Sequence, residues 1–180
     1  PPLWTPTVHP GSMKVAVERG ITPMVGASFS PLTKVKENFH HLDAIMKDAG
    51  RNDMYRVAHP HIYIGDTVAK AREEARESVE WLLDDFAEMW ELPEGEEYPE
   101  RFKFQEQLAA HIRSLTFDKV VENDLLWIGD VDYVTNHLRW LRDECGVNYI
   151  ISNMSPGGME HEKVAKSMEL LATKVMPQLN

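Results

Sequence analysis

Short apolar runs alternate with longer amphipathic stretches from one end of the chain to the other, and this alternation limits the fold more than any other feature of the sequence. Leu3 to Val8 reads as a short strand despite Pro6. Ser12 is in position to N-cap a short helix running to about Arg19, which Gly20 closes. Pro23 to Ala27 is a second strand candidate, followed by a helix over Leu32 to Ala49 with Gly50 as its stop. Tyr55 to Ile64, rich in aromatic and β-branched residues, reads as a third strand. Asp66-Thr67 caps a long helix from Val68 to Trp90. Its residues Ala71, Ala75, Val79, Leu82, Phe86 and Met89 recur at spacings of three and four and share one face. Leu92 to Tyr98 is a loop rich in Pro, Gly and Glu, and Arg101 to Leu115 is a further helix. Gly129-Asp130 opens a helix with Val131, Val134, Leu138 and Leu141 on its apolar side, ended by Gly146. Val147 to Ser152 is the fourth strand. After Ser155-Pro156-Gly157-Gly158 a last helix carries Val164, Met168, Leu171 and Val175, and Pro177 stops it.

Strands separated by helices imply parallel pairing with right-handed crossovers. In such sheets ligands bind at the C-terminal ends of the strands. Those ends are Val8-His9-Pro10-Gly11-Ser12, Ala27-Ser28-Phe29, Ile64-Gly65-Asp66 and Asn153-Met154-Ser155. Four βα units make half of an eight-stranded barrel. Alone, their sheet would leave an inner face and two edges unpaired. The chain is therefore read as one α/β domain over residues 1–180, a half-barrel expected to close against another copy of itself or against a missing half. A start at Pro1, without Met, fits a fragment or a processed product on this reading.

Charge and cysteine usage remove several function classes. The chain carries 29 acidic against 19 basic residues, a net charge of −10, and so lacks the basic face that a phosphate backbone requires; nucleic acid is not expected as a partner. No apolar run approaches the roughly 18 residues of a membrane span, and no membrane association is expected. The opening Pro1-Pro2-Leu3-Trp4 has neither a basic start nor a small-residue cleavage site, and no signal peptide is expected. Cys145 is the single cysteine, which rules out an intrachain disulfide and a cysteine metal cluster, and points to a cytoplasmic, reducing compartment. His59-x-His61 would point to one side of a strand, whereas His40-His41 diverge on a helix. Neither pair has Asp, Glu or Cys at ligand spacing, and no metal site is expected.

Several motifs, taken in order, carry a family likeness. His9-Pro10-Gly11-Ser12 followed by Val15-Ala16-Val17-Glu18-Arg19-Gly20 and Pro23-Met24 resembles the fifth βα unit of the luciferase-like, flavin-dependent monooxygenases. Gly65-Asp66-Thr67 with Ala71-Arg72-Glu73-Glu74-Ala75 resembles that family's Thr-led helix. Ile128-Gly129-Asp130 with Val134, then Gly146-Val147-Asn148-Tyr149-Ile150-Ile151, resembles its penultimate helix and eighth strand. Asn153-Met154-Ser155-Pro156-Gly157-Gly158-Met159 and Val175-Met176-Pro177 resemble its C-terminal signature. The resemblance implies strands 5–8, the C-terminal half, of a (β/α)8 TIM-type barrel. It further implies a monooxygenase using reduced FMN and O2 on a small organic substrate whose identity stays open, with a flavin reductase as supplier of the reduced cofactor. Deazaflavin-dependent hydride transfer is the lesser alternative. The family's usual catalytic His belongs to the half that does not match, so no catalytic residue is assigned and this chain by itself is expected to be incomplete for catalysis. The competing reading is a non-catalytic flavin-binding or structural half-barrel that dimerises through its open edges.

The expected cofactor site is His9, Pro10, Gly11, Ser12, Met13 and Ser28. A helix N-terminus offers N–H groups and a partial positive charge to a phosphate. Gly11 lets the backbone approach, and the Ser12 hydroxyl adds a hydrogen bond. The resemblance puts Ser12 where the family holds the flavin phosphate; an ordinary N-cap and a turn glycine account for the same residues. Ser28 ends a strand beside the expected ring or substrate position, and Phe29 reads as packing. His59 and His61 are secondary candidates facing the barrel interior. Gly157-Gly158 fits either a flexible lip or a helix-entry turn. Trp81, Trp90, Trp127 and Trp140 read as core or interface residues on or near helices.

Overall fold

The chain follows the expected strand–helix order and then adds to it. Its elements are β1 (Trp4–Thr7), α1 (Pro10–Glu18), β2 (Thr22–Gly26), α2 (Leu32–Asp48), β3 (Val57–His59), β4 (Ile62–Ile64), α3 (Val68–Met89), α4 (Lys103–Arg113), α5 (Phe117–Glu122), β5 (Trp127–Gly129), α6 (Val131–Cys145), β6 (Tyr149–Ile150) and α7 (His161–Leu170). This structure, a computed structural model, describes residues 2–89, 91–92, 95–100 and 103–179, and of Phe104 the backbone alone. The helix boundaries expected at Trp90 and Arg101 lie outside the described residues.

Pro60 sets the topology. It splits the expected third strand into β3 and β4, because a proline has no N–H to give to a ladder. β1, β2, β3 and β6 form a sheet in that order, parallel throughout, while β4 and β5 form a separate parallel pair. The His59 carbonyl accepts from Ala27 N–H at 3.2 Å, and the His61 carbonyl accepts from Trp127 N–H at 3.0 Å. Carbonyls two residues apart on a strand point the same way, so β5 takes over the side of the strand that β2 leaves. On the other side, the Ala58 and Pro60 carbonyls accept from Ile151 and Asn153 N–H. The sequence does not announce β5. The apolar run at residues 125–128 is too short to establish a strand period, and the Gly129-Asp130 helix start follows at once. Asp124 prepares the strand from its other end: it lies in the left-handed region at φ 52°, between the close of α5 and that run.

One face of the four-stranded sheet is packed under helices and the other is only partly covered. Val25, Ala27 and Ala58 are buried with Met13 and Val17 of α1 and Val35, Phe39 and Leu42 of α2. The pairing register, Trp4 with Thr22, Met24 with Val57 and Val57 with Tyr149, puts the alternate residues on the opposite face. There Thr22 and Val57 are buried, Met24, Gly26 and His59 are half-buried and Tyr149 is exposed. The sheet curves enough for Trp4 on one edge strand to meet Tyr149 on the other, ring centroids 4.8 Å apart and edge-on. β4 and β5 lie between two apolar clusters. Ile62, Ile64 and Trp127 join the first, with α6. Tyr63, Leu126 and Ile128 join the second, with α3 and α5.

Local chemistry fixes the helix ends. Thr67 Oγ1 accepts from Lys70 N–H and caps α3; Asp130 accepts from Tyr133 N–H and caps α6. Gly146 closes α6 at φ 63°, a conformation that strains a residue with a Cβ. On α7 the expected apolar face is corrected by one residue. Met168 is 53% exposed, whereas Ser167 is fully buried and its Oγ accepts from Ile64 N–H at 2.9 Å. The helix turns inward the residue that satisfies a strand end. After Leu170 it widens into a π turn and then a short 3-10 turn containing Pro177.

Candidate active site

Parallel strands bring their C-terminal ends to one rim, and polar side chains gather there. α1 begins three residues earlier than the sequence suggests. His9, not Ser12, is the N-cap: its Nδ1 accepts from Gly11 N–H at 3.2 Å. Pro10 is the first helical residue, a place where its missing N–H costs nothing. Met13 N–H bonds to the His9 carbonyl at 3.0 Å, and the Met13 side chain is fully buried. Of the five residues His9 to Met13, Ser12 therefore offers the donors best placed for an anion, its hydroxyl and its N–H, both on an exposed residue. An open groove of about 650 Å³ runs beside them, lined by Thr5, Thr7, His9, Gly11, Ser12 and Arg19 together with the apolar Pro6, Val15, Ala16 and Ile21.

Ser28 belongs to a different and tighter constellation. Its Oγ accepts from His61 N–H at 2.9 Å, lies 2.7 Å from His61 Nδ1 and 3.4 Å from the His59 carbonyl. The His59 and His61 rings are 6.0 Å apart. Burial, with the neighbouring His59 adding to it, pulls the His61 pKa down to about 4. Burial also lowers that of His59. Both rings are thus neutral near pH 7. His61 Nε2 is buried with no hydrogen-bond partner among the described residues.

Phe29 adds a feature that sequence reasoning missed. It adopts φ 56°, which is costly for a side chain of this size. Its N–H donates to the Leu125 carbonyl at 2.9 Å, and its ring packs against His61 and Phe86 at 5.7 and 5.4 Å. No sequence signal marks it, since Phe-Ser-Pro is not a recognised left-handed motif. Gly157 and Gly158 both have positive φ, and Gly157 lies directly under the Trp81 ring, where a Cβ would overlap it. That contact makes Gly157 a packing glycine. Among the described residues no three His, Cys, Asp or Glu side chains are grouped to hold a metal ion, and no helix is long and apolar enough to cross a membrane.

The fold recurs in solved structures. The oxygenating constituent of 3,6-diketocamphane monooxygenase from Pseudomonas putida, in complex with FMN, superposes with a TM-score of 0.69 at 18% identity, over 98% of this chain and 48% of that one. A monooxygenase from Streptomyces bottropensis gives 0.69 at 18% identity, over 100% and 49%. The coenzyme F420 dependent tetrahydromethanopterin reductase from Methanopyrus kandleri gives 0.60 at 19% identity, over 99% and 51%. The chain thus spans about half the length of each. No curated protein gives a significant sequence match. The family described as luciferase-like monooxygenase matches residues 1–148, and the chain belongs to that family.

Proposed function

We propose that this chain is the C-terminal half of a (β/α)8 flavin-dependent oxidoreductase, a monooxygenase working with reduced FMN and O2 on a small organic substrate. The observation that carries the reading is the meeting of Ser28, His59 and His61 at the C-terminal ends of parallel strands, the place where such folds bind ligands. The unpartnered, buried His61 Nε2 fits a bound polar group there. The FMN complex of the Pseudomonas putida neighbour favours FMN over a deazaflavin, which the Methanopyrus kandleri neighbour keeps as the alternative. The edge strands β1 and β6, each paired on one side only among the described residues, support a half-barrel.

When bound, reduced flavin supplies the electrons for oxygen activation. The protein's own residues have narrower tasks. Ser12, at the N-terminus of α1, would hold the phosphate through its hydroxyl and N–H, helped by the helix dipole. His61 would present a neutral ring to the bound ligand, and Phe29 and Phe86 would shield that side from water.

Titration with FMN and with riboflavin, followed by flavin fluorescence, tests the reading. Ser12→Ala should weaken FMN about tenfold, the loss of one charge-assisted hydrogen bond, and leave riboflavin unchanged. Equal weakening of both would remove Ser12 from the phosphate site, and no binding of either flavin or of a deazaflavin would sink the cofactor assignment for this chain. A second reading, a non-catalytic half-barrel that dimerises through its edges, draws on one observation: Val147, Ile150, Leu171, Met176 and Leu179 line an apolar groove beside edge strand β6. Sedimentation as a dimer that binds no flavin would favour it.

A further inference from the structure

We propose that Ser28 and His61 act together as a hydrogen-bond donor to a carbonyl oxygen bound at the C-terminal ends of the strands, Ser28 positioning the ring and His61 Nε2–H touching the ligand. The inference rests on the flavin-site reading above and deepens it.

The Ser28 hydroxyl has one proton and two acceptors within reach. The His59 carbonyl is 3.4 Å away, beyond the usual range of an O–H···O bond, whereas His61 Nδ1 is at 2.7 Å. The shorter contact favours donation to Nδ1, and the proton is assigned there. The Oγ lone pairs are then free to accept from His61 N–H at 2.9 Å, so Ser28 grips both the backbone and the ring of the same residue. With Nδ1 accepting, a neutral imidazole carries its hydrogen on Nε2. That atom is buried, and none of the described residues accepts from it. A buried donor without an acceptor is unfavourable unless something else supplies the acceptor.

The surroundings narrow what that is. The cavity that His61 lines is only about 10 Å³; Ala75, Val79, Leu126 and Ile128 give it apolar wall, and Tyr63 and Asn153 are its other polar neighbours. It has room for about one atom the size of a water oxygen. The tip of a carbonyl fits; a ring or a phosphate does not. The Phe29 side chain, packed against His61 from a strained backbone, offers no acceptor. The carbonyl has two sources, the flavin ring and the substrate, and the chemistry of recognition is the same for both.

Long-range proton–nitrogen NMR of the isotope-labelled chain tests this directly. The unliganded protein should show His61 as the Nε2–H tautomer, and Ser28→Ala should mix the two tautomers. An Nδ1–H tautomer in the unliganded chain overturns the proposal. FMN and cyclohexanone are then added separately, with flavin absorbance recorded in parallel. A downfield move of the Nε2 proton with FMN assigns the acceptor to the cofactor; a move with cyclohexanone alone assigns it to the substrate. Bound FMN with no response to either probe overturns the donor role and leaves the flavin reading intact, whereas no bound FMN and no response overturns both. Affinity for the responding probe should fall about tenfold in His61→Phe and recover in His61→Gln, which again presents an N–H; loss in both variants alike would indicate a purely structural ring.

Discussion

His61 is held neutral by its surroundings, and this makes the folded chain sensitive to acid. Its folded pKa, about 4, lies below the ordinary histidine value of 6.5. Between these two values the unfolded chain binds the proton and the folded chain does not. The contribution of this residue is therefore complete above pH 6.5 and falls as the pH drops toward 4, by roughly 1–3 kcal/mol. Urea denaturation near neutral pH and again about two units lower should show a smaller difference for His61→Gln than for the parent chain; an unchanged difference would place the acid sensitivity elsewhere. Gly65 makes a second prediction at this scale. Its N–H donates to the Gly129 carbonyl at 3.0 Å, and a Cβ there would stand 2.9 Å from the Ala71 backbone. Gly65→Ala should lower stability by about 1–3 kcal/mol, since backbone cannot step aside as a flexible side chain can. A denaturation midpoint equal to the parent's would refute that close approach. The sequence shows His59 and His61 on one side of a strand, because alternation is local. It does not show Ser28 between them, 33 residues from His61 in the chain, nor the left-handed Phe29, because neither follows from neighbours along the chain.

Elements are legible where their signals are local, in caps, stops and periodic faces. Thr67 and Asp130 cap the helices expected of them, and Gly146 ends α6. The sequence misplaces the start of α1 because Ser12 has the better intrinsic capping side chain; His9 takes the role because Pro10 is favoured at the first helical position and needs no bond there. β5 stays hidden because three residues of strand, set between a turn and a capping Asp, carry no period. α7 shows the limit of periodicity more sharply. An apolar stripe would turn Met168 inward, yet the structure buries Ser167, whose value lies in a long-range bond to Ile64. Ser167→Ala should then cost about 1–3 kcal/mol by leaving a buried strand N–H unpaired, while Met168→Ala on the exposed side should stay within about 0.5 kcal/mol. Thermal melts of the two variants check the contrast, and similar losses would contradict it.

At the level of the whole molecule, two apolar clusters meet across the β4–β5 pair. Ile128 belongs to the cluster of α3 and α5, and Trp127 beside it to that of α6. Ile128→Ala should cost about 2–5 kcal/mol, and native-state hydrogen exchange should register the loss first in α3 and α5, with α1 and α2 less affected. Uniform acceleration across all helices would mean that the two clusters unfold as one. The α3 face of the second cluster is legible in the sequence; what packs against it from β5 and α5 is not, since those segments are too short to carry a pattern.

The strand interrupted at Pro60 acts as a common strut. Residues 57–59 are fastened into the main sheet, residues 62–64 into the smaller one, and His61 stands at the joint between them. A ligand pressing on this ring, as proposed, would bear on both assemblies at once, so that neither side of the rim would yield alone. Such a pivot favours a guest that already has the right shape over one that must be accommodated.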